Sequence, residues 1–148
     1  MKRKITVLFS LLFAVVFSAL CLFACGKEAG NVKATVVESS ETLLVIRVDK
    51  TDGKATLYDA MKYLREEEEI DFESQSSTYG EMLKSINGKA SDEGSGAYWM
   101  SYTSDADFSN TAWGSYLYGD KELGSCSIGM SALTVKEGCL YVWVYQSF

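Results

Sequence analysis

Apolar and polar residues alternate in several short segments of the chain, with the period of two that is typical of β-strands. Two such segments, Ala34–Val37 and Leu43–Val48, are separated by polar residues and predict an N-terminal β-hairpin. A third segment, Leu140–Tyr145, carries bulky residues on both faces, which predicts a strand inside a sheet and not at its edge. We expect the first and last strands to lie adjacent in the centre of that sheet.

One segment has the period of a helix instead. Its apolar positions recur at i, i+3, i+4 and i+7 and share one face: Leu57, Ala60, Met61 and Leu64. Thr56 precedes them as a capping residue, and Asp59 suits the positive end of the helix. We predict a helix that ends near Glu67 and packs its apolar stripe on the sheet of the hairpin. The acidic run Glu66–Glu69 has two interpretations, a cation site or a solvated helix end, and the pattern favours the second.

Several shorter segments follow the helix. Four of them have the residue types of strands: Ile70–Glu73, Tyr79–Ile86, Ala97–Thr103 and Ser131–Val135. The stretch Ser104–Gly129 is rich in Gly, Ser and Asp, and it predicts an irregular loop with scattered aromatic residues. The order of hairpin, helix and then strands predicts an α+β roll in which one helix packs across a mixed sheet.

The N-terminus has the pattern of an export signal. The basic residues Lys2, Arg3 and Lys4 are followed by the uncharged run Ile5–Phe23. The run ends at Leu22-Phe23-Ala24-Cys25-Gly26, which resembles the bacterial lipoprotein cleavage box. The resemblance implies a signal peptide over residues 1–24, a diacylglycerol lipid on Cys25 and a position on the extracellular face of the cell membrane. The alternative is an uncleaved transmembrane anchor, because the run approaches the roughly 20 residues that span a bilayer.

The length and net charge of the chain after removal of the signal limit the kinds of partner that it can bind. Removing residues 1–24 from the 148 leaves 124 residues, enough for one domain with a core of its own. Three of the 14 basic residues are lost with the signal, which leaves 11 against 20 acidic residues and a net charge of −9. This charge argues against nucleic acid as a partner. We expect residues 25–33 to form a tether and residues 34–148 to form the domain.

The numbers of histidine and cysteine residues limit the catalysis, metal binding and disulfide formation that can be expected. The chain contains 0 histidines, so it lacks the usual general base and the commonest transition-metal ligand. Cys126 and Cys139 would both lie outside the cell, where two cysteines can pair. A disulfide across this spacing would contribute roughly 3 kcal/mol. The alternative, two reduced cysteines that act as small apolar residues, remains open.

The stretch from about Ala34 to Tyr145 resembles the transcobalamin-like C-terminal domain, a small β-grasp module of cobalamin carriers that also occurs on bacterial surface proteins. The matching segments are Thr56–Met61, Tyr79-Gly80 with Ser85–Gly88, Tyr98–Met100 with Tyr102, and Gly138 with Tyr141–Tyr145. The chain departs from the family at Cys139, where an acid is common, and at Thr103–Asp105, where an Asn-Gly-type turn is common. The resemblance implies a β-grasp fold and a binding function, with a corrinoid such as cobalamin as the expected ligand.

Aromatic residues are the best candidates for binding, since their rings offer large flat contact areas with a polar edge. The predicted ligand-binding residues are Trp99, Tyr102, Trp113, Tyr116 and Tyr118. They would form a stacking platform for a planar ring or a sugar; in the alternative, the loop folds back and buries them, and for Trp99 the strand position favours the core.

No pattern indicates catalysis. Asp105–Asn110 places oxygen ligands at alternate positions but lacks the Gly and Glu of a calcium loop, so no metal site is predicted. Phosphate-binding and nucleophile motifs are also missing from the sequence. We therefore expect a non-enzymatic surface lipoprotein without a cofactor, which binds a small planar ligand weakly or presents it to a transporter. The alternative is a module for adhesion or for interaction with an envelope protein.

Overall fold

The computed structural model describes residues 30–148, so the predicted signal peptide and the lipidation of Cys25 lie outside the described residues. The elements in chain order are β1 (Val32–Ser39), β2 (Leu43–Thr51), α1 (Leu57–Glu66), β3 (Phe72–Ser77), β4 (Gly80–Ile86), β5 (Lys89–Ala90), β6 (Ala97–Thr103), β7 (Ser109–Tyr118), β8 (Lys121–Cys126) and β9 (Leu140–Ser147). The described part of the chain is thus mostly β-structure with one helix, which is consistent with the predicted α+β class.

Six of the strands form one sheet in the order β1-β2-β9-β6-β8-β7, and the other three form a small sheet, β3-β4-β5. Strand β9 lies inside the large sheet, between β2 and β6, as the pattern of Leu140–Tyr145 predicts. The expected adjacency of the first and last strands is wrong, because β2 takes the position beside β9, with Ile46 opposite Tyr141. Strand β1 pairs with its hairpin partner β2 and is an edge strand of the sheet.

The prediction of a mixed sheet is also wrong. Every strand pair formed within residues 30–148 is antiparallel. Short turns join β1 to β2, β3 to β4 and β7 to β8 as hairpins, and hairpin neighbours are necessarily antiparallel. Long stretches of chain separate β9 from its neighbours β2 and β6, so no turn sets the direction of those two pairs.

Helix α1 begins and ends close to its predicted limits. Thr56 caps it: the Thr56 hydroxyl accepts a hydrogen bond from the Asp59 N–H at 3.2 Å, and the Asp59 carboxylate accepts one from the Thr56 N–H at 2.9 Å. The N–H groups of Leu57 and Tyr58 donate to backbone carbonyls of the segment Met130–Leu133, so the start of the helix is held against that segment. The predicted apolar stripe of the helix is buried.

The large sheet has an apolar layer on each face. Tyr141 and Trp143 of β9 belong to the core on the face that α1 covers. Val142 and Val144 point the other way and pack with Val45 in a second, smaller core. This division follows the alternation of strand side chains and confirms the two bulky faces predicted for β9.

The prediction of an irregular loop over Ser104–Gly129 is wrong. Strands β7 and β8 form a hairpin in this stretch, and Leu123 of β8 is 0% exposed in the second core. The Tyr118 hydroxyl donates a hydrogen bond of 3.1 Å to the carboxylate of Glu38 on β1. Since β1 and β7 are opposite edges of the sheet, this contact means that the sheet curls until the hairpin tip reaches the far edge.

Candidate functional site

The structure divides the five predicted ligand-binding aromatics among three environments. Trp99 is 7% exposed in the core on the helix side. Its indole N–H donates to the Lys89 carbonyl at 2.8 Å, and its ring packs edge-on against Tyr145 at a centroid distance of 5.4 Å. Trp99 therefore stabilises the fold and offers no open ring face to a ligand.

Tyr102, Tyr116 and Tyr118 lie on the opposite face of the sheet. Tyr102 is buried, and its hydroxyl donates to the Gln146 side chain at 2.7 Å. The Tyr116 ring lies 5.7 Å from the Tyr102 ring and is half-buried, as is Tyr118. Burial and the hydrogen bond to Glu38 raise the pKa of the Tyr118 hydroxyl. Tyr102 belongs to the second core, and Tyr116 and Tyr118 pack against it.

Trp113 is the open ring of the set, with 67% of its surface exposed. It lies in a bulge of β7, because Asn110 pairs with Ser125 but Ser115 already pairs with Gly124, so residues 111–114 have no partner on β8. The Asn110 side chain accepts a hydrogen bond of 3.0 Å from the Ala112 N–H and stabilises the bulge.

A second apolar residue, Leu117, is exposed on the same strand. It is 68% exposed and lies four positions after Trp113, and Ser115 between them is exposed as well. Ser115 and Leu117 are two positions apart beyond the bulge and therefore share one face of the strand, whereas Trp113 lies in the bulge, where alternation does not fix its direction. We call the three exposed residues Trp113, Ser115 and Leu117 the β7 outer face. It is the part of the predicted aromatic site that remains open in the structure. Sequence reasoning missed Leu117, although alternation with Tyr116 and Tyr118 would have placed it outward.

A cleft of about 630 Å³ lies between α1 and the β3–β4 hairpin. Its lining is polar and charged: Lys54, Thr56, Tyr58, Asp59, Lys62, Ser76, Ser77, Gly80, Glu81 and Ser131. This cleft was not predicted from the sequence, because its walls come from three separate stretches of the chain. The capping residues Thr56 and Asp59 give the one local signal for a wall, and they indicate a helix start, not a site.

The charged groups of the cleft are held in different ways. Lys62 pairs with Asp59 at 2.8 Å and lies over the Tyr58 ring. Glu81 accepts hydrogen bonds from the hydroxyls of Ser76 and Ser74, and these bonds hold the pKa of its carboxyl below the usual range. Glu81 is therefore ionised at neutral pH.

A buried acid occupies the turn after β6. Asp105 is 1% exposed and lies 3.2 Å from the ammonium of Lys136, and the Tyr141 hydroxyl donates to it at 3.4 Å. Burial, aided by the nearby Asp105 charge, raises the pKa of the Tyr141 hydroxyl. The interactions of Asp105 link the turn to β9. Within residues 30–148 no group of three or more His, Cys, Asp or Glu is arranged to hold a metal ion.

Cys126 and Cys139 are free thiols in the structure. Strand β6 lies between β8, which ends at Cys126, and β9, which follows Cys139. Strands two apart are separated by roughly 10 Å, whereas a disulfide needs Cα atoms within about 7 Å. Burial raises the pKa of the Cys126 thiol to about 11, so it is protonated at neutral pH.

The family described as a domain of unknown function (DUF4430) matches residues 54–120. The matched stretch begins just before α1 and ends in the turn between β7 and β8, so it includes most of the cleft lining and the whole β7 outer face. No curated protein matches the chain. Within residues 30–148, no helix is both long enough and apolar enough to span a membrane.

Proposed function

We propose that this chain is a non-enzymatic binding protein, exported and held at the extracellular face of the cell membrane by a lipid on Cys25. Its ligand is a small planar molecule, with a corrinoid as the first candidate, and the binding surface is the β7 outer face. The observation that carries the proposal is the exposure of two large apolar side chains, Trp113 and Leu117, on the same edge strand. Large apolar side chains that cluster on a surface usually mark an interaction site.

The fold supports the transcobalamin-like interpretation as far as its elements go. An N-terminal hairpin, one helix and a sheet whose last strand is central agree with a β-grasp-like roll. The DUF4430 match covers three of the four segments on which the resemblance rests, and only Gly138 with Tyr141–Tyr145 lies outside it. The domain alone should bind weakly, because one open face covers far less of a ligand than a closed pocket.

Equilibrium dialysis of the full-length protein against cyanocobalamin tests the proposal. We expect measurable binding at millimolar ligand and a loss of about fivefold or more in the Trp113→Ser variant, since stacking on an aromatic ring contributes on the order of 1 kcal/mol. Phe148→Ser is the matched control, because Phe148 is an equally open aromatic, 82% exposed, outside the β7 outer face. Equal binding by both variants, or none by the native protein, would exclude a corrinoid at this surface.

The unpaired edge of β7 favours a second candidate function, the docking of an envelope protein such as a transporter. An edge strand presents free backbone N–H and C=O groups that a partner strand can pair with. Native protein should then recover one dominant envelope protein from solubilised membranes, and Trp113→Ser should not. Recovery that is equal with both would place the contact elsewhere on the domain.

The anchor is tested separately. Mass spectrometry of the protein made in a bacterial host should show a diacylglycerol on Cys25 and no residues before it. An unmodified chain that retains residues 1–24 and stays in the membrane would support the transmembrane alternative.

A further inference from the structure

The cleft between α1 and the β3–β4 hairpin contains two charges without an ionic partner. Its other two charges, Asp59 and Lys62, neutralise each other at 2.8 Å. Neither Glu81 nor Lys54 forms an ion pair with any residue in the described range 30–148. The cleft therefore offers one carboxylate and one ammonium to a ligand, and the charges of its lining residues sum to zero. Asp52 lies beside the cleft, where hydrogen bonds from backbone N–H groups, that of Lys54 first, and the Lys54 charge lower the pKa of its carboxyl.

Glu81 is fixed in place before any ligand arrives. Its carboxylate accepts a hydrogen bond of 2.7 Å from the Ser74 hydroxyl and another from Ser76. Its backbone N–H donates to the Ser131 hydroxyl at 3.0 Å, which ties β4 to the opposite wall of the cleft. A carboxylate that is already held by two hydroxyl groups loses little conformational freedom when it binds, so more of its interaction energy contributes to affinity.

The remaining lining sets the chemistry of the ligand. Half of the lining residues carry a hydroxyl group, and the volume of about 630 Å³ lies in the usual range for small-molecule sites. Tyr58 is the one aromatic residue of the lining, and Lys62 already covers its ring. Tyr79, next to the lining residue Gly80, is 90% exposed and available to contact whatever extends from the cleft.

We propose that this cleft binds a short zwitterionic peptide, with the peptide ammonium at Glu81 and the peptide carboxylate at Lys54. A polyanion such as a nucleotide would be repelled by the carboxylate of Glu81, and a polycation would be repelled by the ammonium of Lys54. A ligand with one charge of each sign satisfies both residues. The peptide backbone also supplies donors and acceptors for the serine hydroxyls that line the walls.

Isothermal titration of the full-length protein with trialanine and its two singly capped forms tests the pairing. N-acetylation removes the ammonium and C-amidation removes the carboxylate. We expect each cap to weaken binding by about fivefold, the upper range for a partly exposed ion pair. Glu81→Gln should weaken the binding of trialanine but not that of acetyl-trialanine, which has no ammonium. Lys54→Gln should weaken the binding of trialanine but not that of trialanine amide, which has no carboxylate.

Matched controls separate these effects from general changes of charge. Glu122→Gln and Lys121→Gln remove the same charges from the exposed hairpin of β7 and β8 and should leave trialanine binding unchanged. Lys54 is exposed, so the Lys54→Gln variant should keep the native unfolding temperature. The comparison of trialanine with trialanine amide in this variant therefore tests the proposal even if Glu81→Gln unfolds the protein. Absence of binding at millimolar trialanine, or caps that make no difference, would overturn the proposal. Trp113→Ser should bind trialanine normally, because the two surfaces are separate.

Discussion

Leu123 gives the sharpest test of the hairpin that replaces the predicted loop. Its side chain is 0% exposed and packs in the second core with Val45, Tyr102 and Val142. Leu123→Ala removes three carbon groups, which at about 0.8 kcal/mol each amounts to roughly 2 kcal/mol of lost transfer free energy. The cavity that remains adds to this loss, so we expect unfolding to become easier by about 3 kcal/mol.

Leu117→Ala is the matched control, because it makes the same chemical change in the same hairpin. Leu117 is 68% exposed, so its truncation should change the free energy of unfolding by less than about 0.5 kcal/mol. Urea titration followed by tryptophan fluorescence measures both variants against the native protein. If Leu123→Ala costs under about 1 kcal/mol, or the two variants cost the same, the hairpin does not cover the sheet as described.

Three further predictions concern the helix start and the cysteines. Thr56→Ala should lower the free energy of unfolding by about 1 kcal/mol, and Thr56→Ser by much less, because the serine hydroxyl keeps the cap; equal losses in urea titrations would contradict the capping box. Although burial raises the pKa of the Asp59 carboxyl, hydrogen bonds from Lys62 and Thr56 outweigh it and lower the pKa below its ordinary value. The stability that Asp59 contributes should therefore be present above the ordinary pKa of an aspartate, about 4, and lost as the pH falls through the lowered pKa. Asp59→Asn should then flatten the acid limb of the stability profile, and an unchanged limb would refute this. Alkylation of the unfolded, unreduced protein should modify both Cys126 and Cys139, whereas a linked peptide in mass spectrometry would contradict the free thiols.

The helix and the last strand were predictable because their signals are local. The stripe from Leu57 to Leu64 and the cap at Thr56 lie within one short segment, and each needs no distant partner to be recognised. The two bulky faces of β9 likewise require a layer on each side, whichever strands are its neighbours. Strand order and direction depend on distant pairings, and for this reason the place of β1 at the edge and the antiparallel sheet were not predicted.

The aromatic site was predicted only in part. Strand alternation already separates Trp99 from Tyr102, since residues three apart on one strand point to opposite faces. The hairpin was missed because the unpaired residues 111–114 interrupt the alternation of β7, and the strand then resembles a loop. The exposure of Trp113 follows from that bulge. The polar cleft has no sequence signature, because Lys54, Glu81 and Ser131 come together only in the folded chain.

The indole N–H signals of the three tryptophans show whether a ligand contacts the β7 outer face. Trp99 and Trp143 are 7% and 6% exposed, whereas Trp113 is 67% exposed, so two of the signals act as internal controls for the third. In a ¹⁵N–¹H NMR titration of the full-length protein with cyanocobalamin, we predict that the Trp113 indole signal shifts with ligand concentration and that the signals of Trp99 and Trp143 do not. If the Trp113 signal does not move while backbone signals elsewhere do, the ligand binds at another surface and the proposed role of the β7 outer face is wrong.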